Sequence, residues 1–265
     1  MSITTNCSYN SHLIDFSYTK GTDNVYNTMQ FHSYYELYFF KNGNVEYICN
    51  HFRKVLSPNQ LIIIPPGEYH NLHVLDNEDI YERCVLNIHP GFIENKILEE
   101  NLKEKFFLAF SDSDRITEHF RYLVECYNQY SEQDYRVILS AIATDIIYLI
   151  KYSEKCQIKN CFDHDTLPEQ LMKYIDQNIT DDIKLNILAN KFNYSISHIC
   201  HVFKECYGIT IKKYILQKRL SCIHSEILLG GKIQYISQAY GFKDYPAFFR
   251  LYKKEFGVPP SKHKH

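Results

Sequence analysis

The sequence predicts an α+β chain: a β-barrel comes first, a helical segment follows, and an all-α domain with two helix-turn-helix motifs ends the chain. Three observations support this prediction. Short apolar segments separated by turn residues fill residues 1–92, and helical apolar periodicity fills residues 93–152. A pattern of residues near the end of the chain occurs twice. A polar segment without periodicity, residues 153–165, predicts a linker before the all-α domain at residues 166–265.

The segment Phe31 to Phe40 has the clearest strand pattern. In a strand, side chains alternate between two faces, which would put His32, Tyr34, Glu36 and Tyr38 together on one face. The opposite face would be largely apolar and aromatic. Further short apolar segments follow at near-regular spacing up to residue 92, and this spacing predicts a barrel or a sandwich.

The helical segment has an apolar stripe followed by a run that is apolar on almost every side. The stripe consists of Ile116, Phe120, Leu123, Val124 and Tyr127. The run extends from Tyr135 to Tyr152 and must be covered on more than one side. We therefore predict a homodimer interface within Arg115 to Tyr152. A central core helix in a monomer is the alternative interpretation.

The repeat relates residues whose numbers differ by 49. Each copy contains a short helix, a turn and a second helix that ends at a glycine, Gly208 or Gly257. The matching pairs are Ser195 and Asp244, Ile199 and Phe248, His201 and Arg250, Phe203 and Tyr252, and Lys204 and Lys253. A capping box at Thr166 and Glu169 starts the domain, and one long helix from Thr210 to Leu229 joins the two copies. Two such units in tandem can bind one stretch of duplex DNA.

The two parts of the chain carry opposite charge. Residues 1–166 contain 14 Lys and Arg against 23 Asp and Glu, a net charge of −9. Residues 167–265 contain 15 against 8, a net charge of +7. A compact basic domain attracts the phosphate backbone of nucleic acid, whereas the acidic part should stay away from it.

Composition and termini favour a cytoplasmic protein that does not associate with a membrane. The hydrophobic content of 45% and charged content of 23% are typical of a soluble globular protein. The first residues lack the basic and apolar regions of a signal peptide, and the most apolar run, Val137 to Ile150, is too short to span a bilayer. Nine cysteines without a Cys-x-x-Cys pair are consistent with reduced thiols.

The repeated units resemble those of the AraC/XylS transcription regulators over residues 167–264. The matching residues of the first unit are Leu188, Ala189, Ser195, Phe203, Lys204, Gly208, Tyr214 and Arg219. Those of the second unit are Ile236, Gly241, Phe242, Asp244, Phe248, Arg250, Lys253, Lys254, Gly257, Pro259 and Pro260. The sequence departs from the family at Lys184, Ser237 and Tyr252, and Lys184 predicts a frayed helix start because it replaces a hydroxyl N-cap. The resemblance implies a transcription activator whose partners are double-stranded promoter DNA, RNA polymerase and a second copy of the chain.

The resemblance also implies which residues contact DNA. They lie on the second helix of each unit: Ser195, Ser197, Cys200, His201 and Lys204 in the first, and Asp244, Tyr245, Ala247, Arg250 and Lys253 in the second. Of the residues expected to face bases, only Arg250 has the forked donor that suits guanine, so the second unit should be the more selective. A phosphate contact or an internal salt bridge is the alternative role for Arg250. Lys204 and Lys253 are expected to contact the backbone.

Two motifs in the first part resemble those of cupins. His32-x-x-x-Glu36 is followed by Gly43, and Pro65-x-Gly67-x-x-His70 comes later. Metal-binding cupins have a further His two positions before His32, where this sequence has Gln30. We therefore predict no metal and no cofactor, but a cupin-like pocket for a small molecule such as a sugar. The predicted ligand-binding residues are His32, Tyr34, Glu36, Tyr38 and His70. A 2-His-1-carboxylate metal site and a purely structural polar core are the alternatives.

The leading interpretation is a ligand-responsive regulator rather than an enzyme. The sequence contains no nucleophile triad, phosphate-binding loop or Cys-rich zinc spacing. The main alternative is a metal-dependent cupin enzyme with an added DNA-binding domain. A first part that only dimerises is a third possibility.

Overall fold

The computed structural model describes residues 5–11, 13–21, 30–49, 52–75, 80–89, 91–102, 107–153, 166–228 and 230–263. The strands of these residues form two antiparallel sheets that face each other and do not close into a barrel, so the β-domain takes the sandwich form of the barrel or sandwich predicted from the sequence. In spatial order, the six-stranded sheet contains β1 (Thr5–Tyr9), β2 (Ile14–Gly21), β8 (Tyr81–Ile88), β3 (Tyr35–Asn42), β6 (Gln60–Ile64) and β9 (Phe107–Ala109). The three-stranded sheet contains β5 (Phe52–Val55), β4 (Val45–Cys49) and β7 (His70–Val74).

The central strand β3 is buried on both of its faces. Leu37 and Phe39 belong to a core between the six-stranded sheet and the helices, whereas Tyr38 and Phe40 belong to a core between the two sheets. The mixed polar face predicted for this strand is therefore interior. The strand also starts later than predicted, at Tyr35, so that His32 and Tyr34 precede it.

Three helices cover the outer face of the six-stranded sheet: α1 (Asn95–Leu102), α2 (Arg115–Tyr127) and α3 (Glu132–Tyr152). The predicted stripe of α2 packs inward, and the ring of Phe120 stacks on that of Phe39 with centroids 4.7 Å apart. The segment predicted to be helical throughout contains the short strand β9, which pairs with β6. Three residues are too few to show a period in the sequence, so this edge strand depends on its neighbour.

Helix α3 is covered on one side only within the described residues. Its inner side contributes Tyr135, Leu139, Ile142, Ala143, Ile146, Ile147 and Ile150 to the core. Its outer side leaves apolar groups in solvent, with Val137 69%, Tyr148 39% and Tyr152 79% exposed. None of the described helices has both the length and the apolar character needed to cross a lipid bilayer.

The last part of the chain is all-α, as predicted. It contains α4 (Leu167–Gln177), α5 (Leu185–Phe192), α6 (Ile196–Tyr207), α7 (Ile211–Leu228), α8 (Ile233–Ala239), α9 (Tyr245–Phe256) and a 3-10 helix (Pro260–His263). The predicted capping box is present, and the Thr166 N–H donates to the Glu169 carboxylate at 2.7 Å. One core lies among α4, α5, α6 and the start of α7, and a second lies among the rest of α7, α8 and α9.

The predicted repeat is visible in matching helix ends. Ser195 accepts a hydrogen bond from the His198 N–H, and Asp244 accepts one from the Ala247 N–H, each at 3.2 Å. Gly208 and Gly257 end α6 and α9 with φ of 71° and 75°. These positive φ values suit glycine because it lacks the Cβ that would clash. The predicted linker lies outside the described residues, apart from Ser153.

Candidate nucleic-acid interface and ligand site

Helix α6 presents most of its predicted contact residues to solvent. Ser195, Ser197, His201 and Lys204 are exposed, whereas Cys200 is half-buried against the core of the first unit. The Ser195 hydroxyl caps the helix, so its first role is structural. This outer side offers small polar groups, an imidazole and one ammonium group to a ligand.

Helix α9 presents the equivalent surface in the second unit. Asp244, Tyr245, Arg250 and Lys253 are exposed, and Ala247 is half-buried. Asp244 caps the helix in the same way as Ser195. The Arg250 guanidinium forms no ion pair with another described residue, so the described structure does not support an internal salt bridge as its role.

Arg219 on α7 links the two units behind these helices. Its guanidinium donates to the backbone oxygens of Ile179 and Asp181 in the turn before α5. The same guanidinium lies 3.0 Å from where a Cβ on Gly241 would be, in the turn before α9. A larger residue at Gly241, whose φ is 84°, would push Arg219 away from the first unit.

Three of the five predicted ligand residues come together between the sheets. The Nε2 atoms of His32 and His70 lie 3.0 Å and 3.8 Å from Oε2 of Glu36. The side chains of His32, Glu36 and His70 are only 7%, 6% and 0% exposed. His32 lies before β3, Glu36 on β3 and His70 at the start of β7, so the cluster joins both sheets.

Backbone carbonyls determine how the two imidazole rings are protonated. Nδ1 of His32 lies 2.9 Å from the Tyr34 oxygen, and Nδ1 of His70 lies 3.1 Å from the Glu68 oxygen. A carbonyl oxygen can only accept, so each Nδ1 carries the proton and donates. In the neutral ring Nε2 then has a lone pair, and both Nε2 atoms face the Glu36 carboxylate.

Burial and charge act in opposite directions on this cluster. Burial lowers the pKa of His70 to about 4, against the opposing effect of the Glu36 carboxylate. Burial acts to raise the pKa of Glu36, but His32, His70 and Arg83 outweigh it and leave that pKa below its ordinary value. At neutral pH the cluster therefore contains a carboxylate beside an uncharged His70.

The two tyrosines of the predicted site have different surroundings. Tyr34 stacks on His32 with ring centroids 4.2 Å apart, and burial, together with the nearby carboxylates, raises its pKa to about 12. Tyr38 is fully buried between the sheets, and its hydroxyl shares a 2.6 Å hydrogen bond with that of Tyr81. Tyr34 lies directly at the cluster, whereas Tyr38 forms part of the packed inter-sheet core.

The residues next to His70 contact the all-α part of the chain, a contact that no pattern in the sequence predicts. Tyr69 is 1% exposed and lies in the core of the first helix-turn-helix unit, with its ring centroid 4.9 Å from that of Tyr214. Its hydroxyl donates to the side-chain oxygen of Gln217. Gln217 in turn donates to Glu255 of α9 at 2.7 Å. A chain of contacts thus connects the turn before β7 to α9.

A charged cluster lies beside this contact. Nζ of Lys218 lies 3.0 Å from Glu68 and 3.6 Å from Asp176, and it donates to the Gly67 oxygen at 3.3 Å. Burial alone would lower the pKa of Lys218, but the two carboxylates together raise it well above its ordinary value. Burial raises the pKa of Glu68, although Lys218 opposes this. One buried ammonium group is therefore shared by carboxylates from both parts of the chain.

Comparison with family models assigns both parts. A model described as an AraC-like ligand binding domain matches residues 14–146, which are half of the chain. A helix-turn-helix domain model matches residues 188–265. The chain belongs to the AraC family. The AraC family resemblance expected from the sequence is thereby confirmed, with an antiparallel β-domain before the helix-turn-helix domain.

Individual relatives match parts of this AraC family member. The Msm operon regulatory protein of Streptococcus mutans is 35% identical over 96 residues, 35% of this chain and 34% of that protein. The uncharacterized HTH-type transcriptional regulator YdiP of Escherichia coli is 24% identical over 245 residues, 86% of this chain and 78% of that protein. The solved structure of ToxT from Vibrio cholerae with bound unsaturated fatty acid has a TM-score of 0.41 and 18% identity, covering 99% of this chain and 94% of that chain.

Proposed function

We propose that this AraC family member is a ligand-responsive activator that binds promoter DNA through α6 and α9. The observation that carries the proposal is the repeat: two equally capped helices expose polar and basic side chains in a part with a net charge of +7. Helices of this kind read base edges in the major groove, and the surrounding charge attracts phosphate. The family adds the expectation that the regulator acts on RNA polymerase.

Selection of bound duplexes from a random DNA pool tests this function. We expect one enriched motif with two half-sites about one helical turn, ~34 Å, apart. The affinity for that motif should fall steeply with salt, because basic side chains release counterions from the DNA. Equal binding to enriched and scrambled duplexes would contradict a sequence-specific regulator.

The contact around Tyr69 supports a route by which an effector changes DNA binding. The turn that contains Gly67, Glu68 and Tyr69 leads directly into His70 of the buried cluster. The same turn bonds to Gln217 and Lys218 of α7. A ligand that displaces His70 therefore acts on the helix that joins both helix-turn-helix units.

The effector proposed for this regulator is a small molecule such as a sugar. Two cavities of about 390 Å³ and 270 Å³ lie elsewhere, and none of the five predicted ligand residues lines either one. A melting-temperature screen of sugars and metabolites tests this part, since a ligand of the native state raises the melting temperature. The family matches give no support to the alternative of a metal-dependent enzyme.

The outer side of α3 supports a homodimer. Val137, Ala141 and Tyr148 follow one another along this side at helical spacing and are exposed. A second copy of the helix would cover these apolar groups, which the described residues of one chain leave in water. Two copies would also bring two pairs of recognition helices to one promoter.

A further inference from the structure

The buried cluster of His32, Glu36 and His70 brings two imidazole nitrogens and one carboxylate oxygen together. One ligand atom from each residue lies within 4.8 Å of the other two. Both imidazoles point Nε2 toward the same carboxylate, because their Nδ1 atoms donate to backbone carbonyls. Lone pairs that face a carboxylate repel it unless a cation lies between them.

We propose that His32, Glu36 and His70 bind a divalent first-row transition-metal cation such as Zn²⁺, which serves as a regulatory ligand. Two imidazoles and one carboxylate form the facial set that such ions use, with open positions for water or a further ligand. Hard ions such as Mg²⁺ and Ca²⁺ prefer oxygen ligands throughout, so two imidazoles disfavour them.

The distances in the cluster are close to those of a filled site. Ligands about 2.0–2.1 Å from a tetrahedral zinc ion lie about 3.4 Å from each other. The observed separations from Glu36 of 3.0 Å for His32 and 3.8 Å for His70 lie on either side of that value. A small movement of the side chains would therefore complete the site.

The surroundings of the cluster also match those of metal ligands. Metal-bound histidines usually donate their second ring nitrogen to a carbonyl or carboxylate, which fixes the ring and increases its basicity. Tyr34 and Glu68 provide these carbonyls here. Tyr34 also covers one face of the His32 ring. These contacts hold both imidazole rings in place for a cation.

Metal binding would be communicated to the DNA-binding domain through the neighbours of His70, and this second part rests on the proposed function. The His70 ring bonds to the Glu68 carbonyl, and the Glu68 carboxylate bonds to Lys218 of α7. An ion that draws His70 toward Glu36 pulls on this turn. DNA affinity should therefore differ between the metal-free and metal-bound protein.

The first test is a metal titration of the full chain after treatment with a chelator. Co²⁺ binding is followed by its visible absorption, and Zn²⁺ affinity is measured by competition with a chromophoric chelator. We expect one ion per chain and a higher melting temperature with metal. Glu36→Gln and His32→Gln should weaken binding at least about 100-fold, since loss of outer-shell partners alone costs 10–100-fold. His73→Ala on the same strand as His70 is the control and should bind like the wild type.

Two results would overturn the metal site: no stoichiometric binding by the wild type, or equal affinity in the wild type, Glu36→Gln and His73→Ala. Glu36→Gln has nearly the shape of the original residue, and circular dichroism confirms that each variant is folded. Anisotropy with the selected duplex then tests the coupling. An unchanged DNA affinity with and without Zn²⁺ would overturn the coupling but leave the regulator intact. Failure to bind DNA in either state would instead contradict the proposed function without affecting the measured metal site.

Discussion

Gly67 and Ser221 touch across the boundary between the sensor sheets and the DNA-binding helices. A Cβ added to Gly67 would lie 1.9 Å from the Ser221 hydroxyl oxygen, and the φ of Gly67 is +77°. The close contact and the positive φ both require glycine at this position. The boundary is therefore packed as closely as a protein core.

The variant Gly67→Ala should be destabilised for these two separate reasons. The positive φ costs about 1–2 kcal/mol for a residue with a Cβ, and the clash adds to it. Adding Ser221→Gly should recover the part of the lost stability that the clash causes. A double-mutant cycle on thermal unfolding measures the coupling between positions 67 and 221. Additive effects of the two substitutions would show that the two parts are not in contact here in solution.

Lys218 should stabilise the same boundary at neutral pH. The variant Lys218→Met leaves Glu68 and Asp176 without their shared cation. We expect its free energy of unfolding to fall by up to about 3 kcal/mol, which is less than for a fully buried pair because these side chains are partly exposed. The folded-state pKa of Lys218 is raised, so its contribution is fully present below its ordinary value of 10.5 and is lost as the pH rises further.

Urea unfolding from pH 5 to 11 tests this sign. The difference between wild type and Lys218→Met should stay constant up to about pH 10 and shrink above it. The exposed Lys212→Met, on the same helix, is a matched control with little expected effect. A difference that shrinks on acidification below neutral pH, but not at alkaline pH, would mean that Glu68 rather than Lys218 controls the boundary.

Arg250 should select bases in the half-site bound by α9. Because a bidentate contact with guanine contributes about 1–3 kcal/mol of discrimination, Arg250→Ala should lose preference at one or two adjacent positions. Lys253→Ala is the control, and it should weaken all duplexes alike and reduce the salt slope by about one. DNA selections with both variants measure the base preference at each position of the motif. If Arg250→Ala keeps the same preferred motif and binds all duplexes more weakly, Arg250 contacts phosphate and does not read a base.

The dimer prediction requires substitutions on the outer side of α3. Ile146 points into the core and is fully buried, so a charge there would unfold the domain whether or not a dimer exists. Val137→Glu with Tyr148→Glu places charge on the exposed side and should convert a dimer into a folded monomer. Light scattering measures the mass, and Tyr235→Glu, 71% exposed on α8, is the control. A dimer that persists in the double variant would place the interface elsewhere.

Features set by neighbouring residues could be predicted from the sequence. The helix ends at Ser195 and Gly208 depend on the residues that form the turn itself, so the repeat and both recognition helices were found. The two-sided burial of β3 and the pairing of β9 depend on strands far away in the chain, and no local pattern reveals them. His32, Glu36 and His70 could be grouped by their motifs, whereas nothing beside Tyr69 indicates that its ring belongs to another domain's core.

Helix α7 contributes Ile211 and Tyr214 to the core of the first unit, and Ile223 and Ile227 to that of the second. The residues that meet the sensor sheets, from Gln217 to Ser221, lie between these two groups. A displacement at the middle of one rigid helix moves both ends together. Release of the two half-sites should therefore be concerted, so that single-molecule traces show duplexes leaving in one step without a half-bound intermediate.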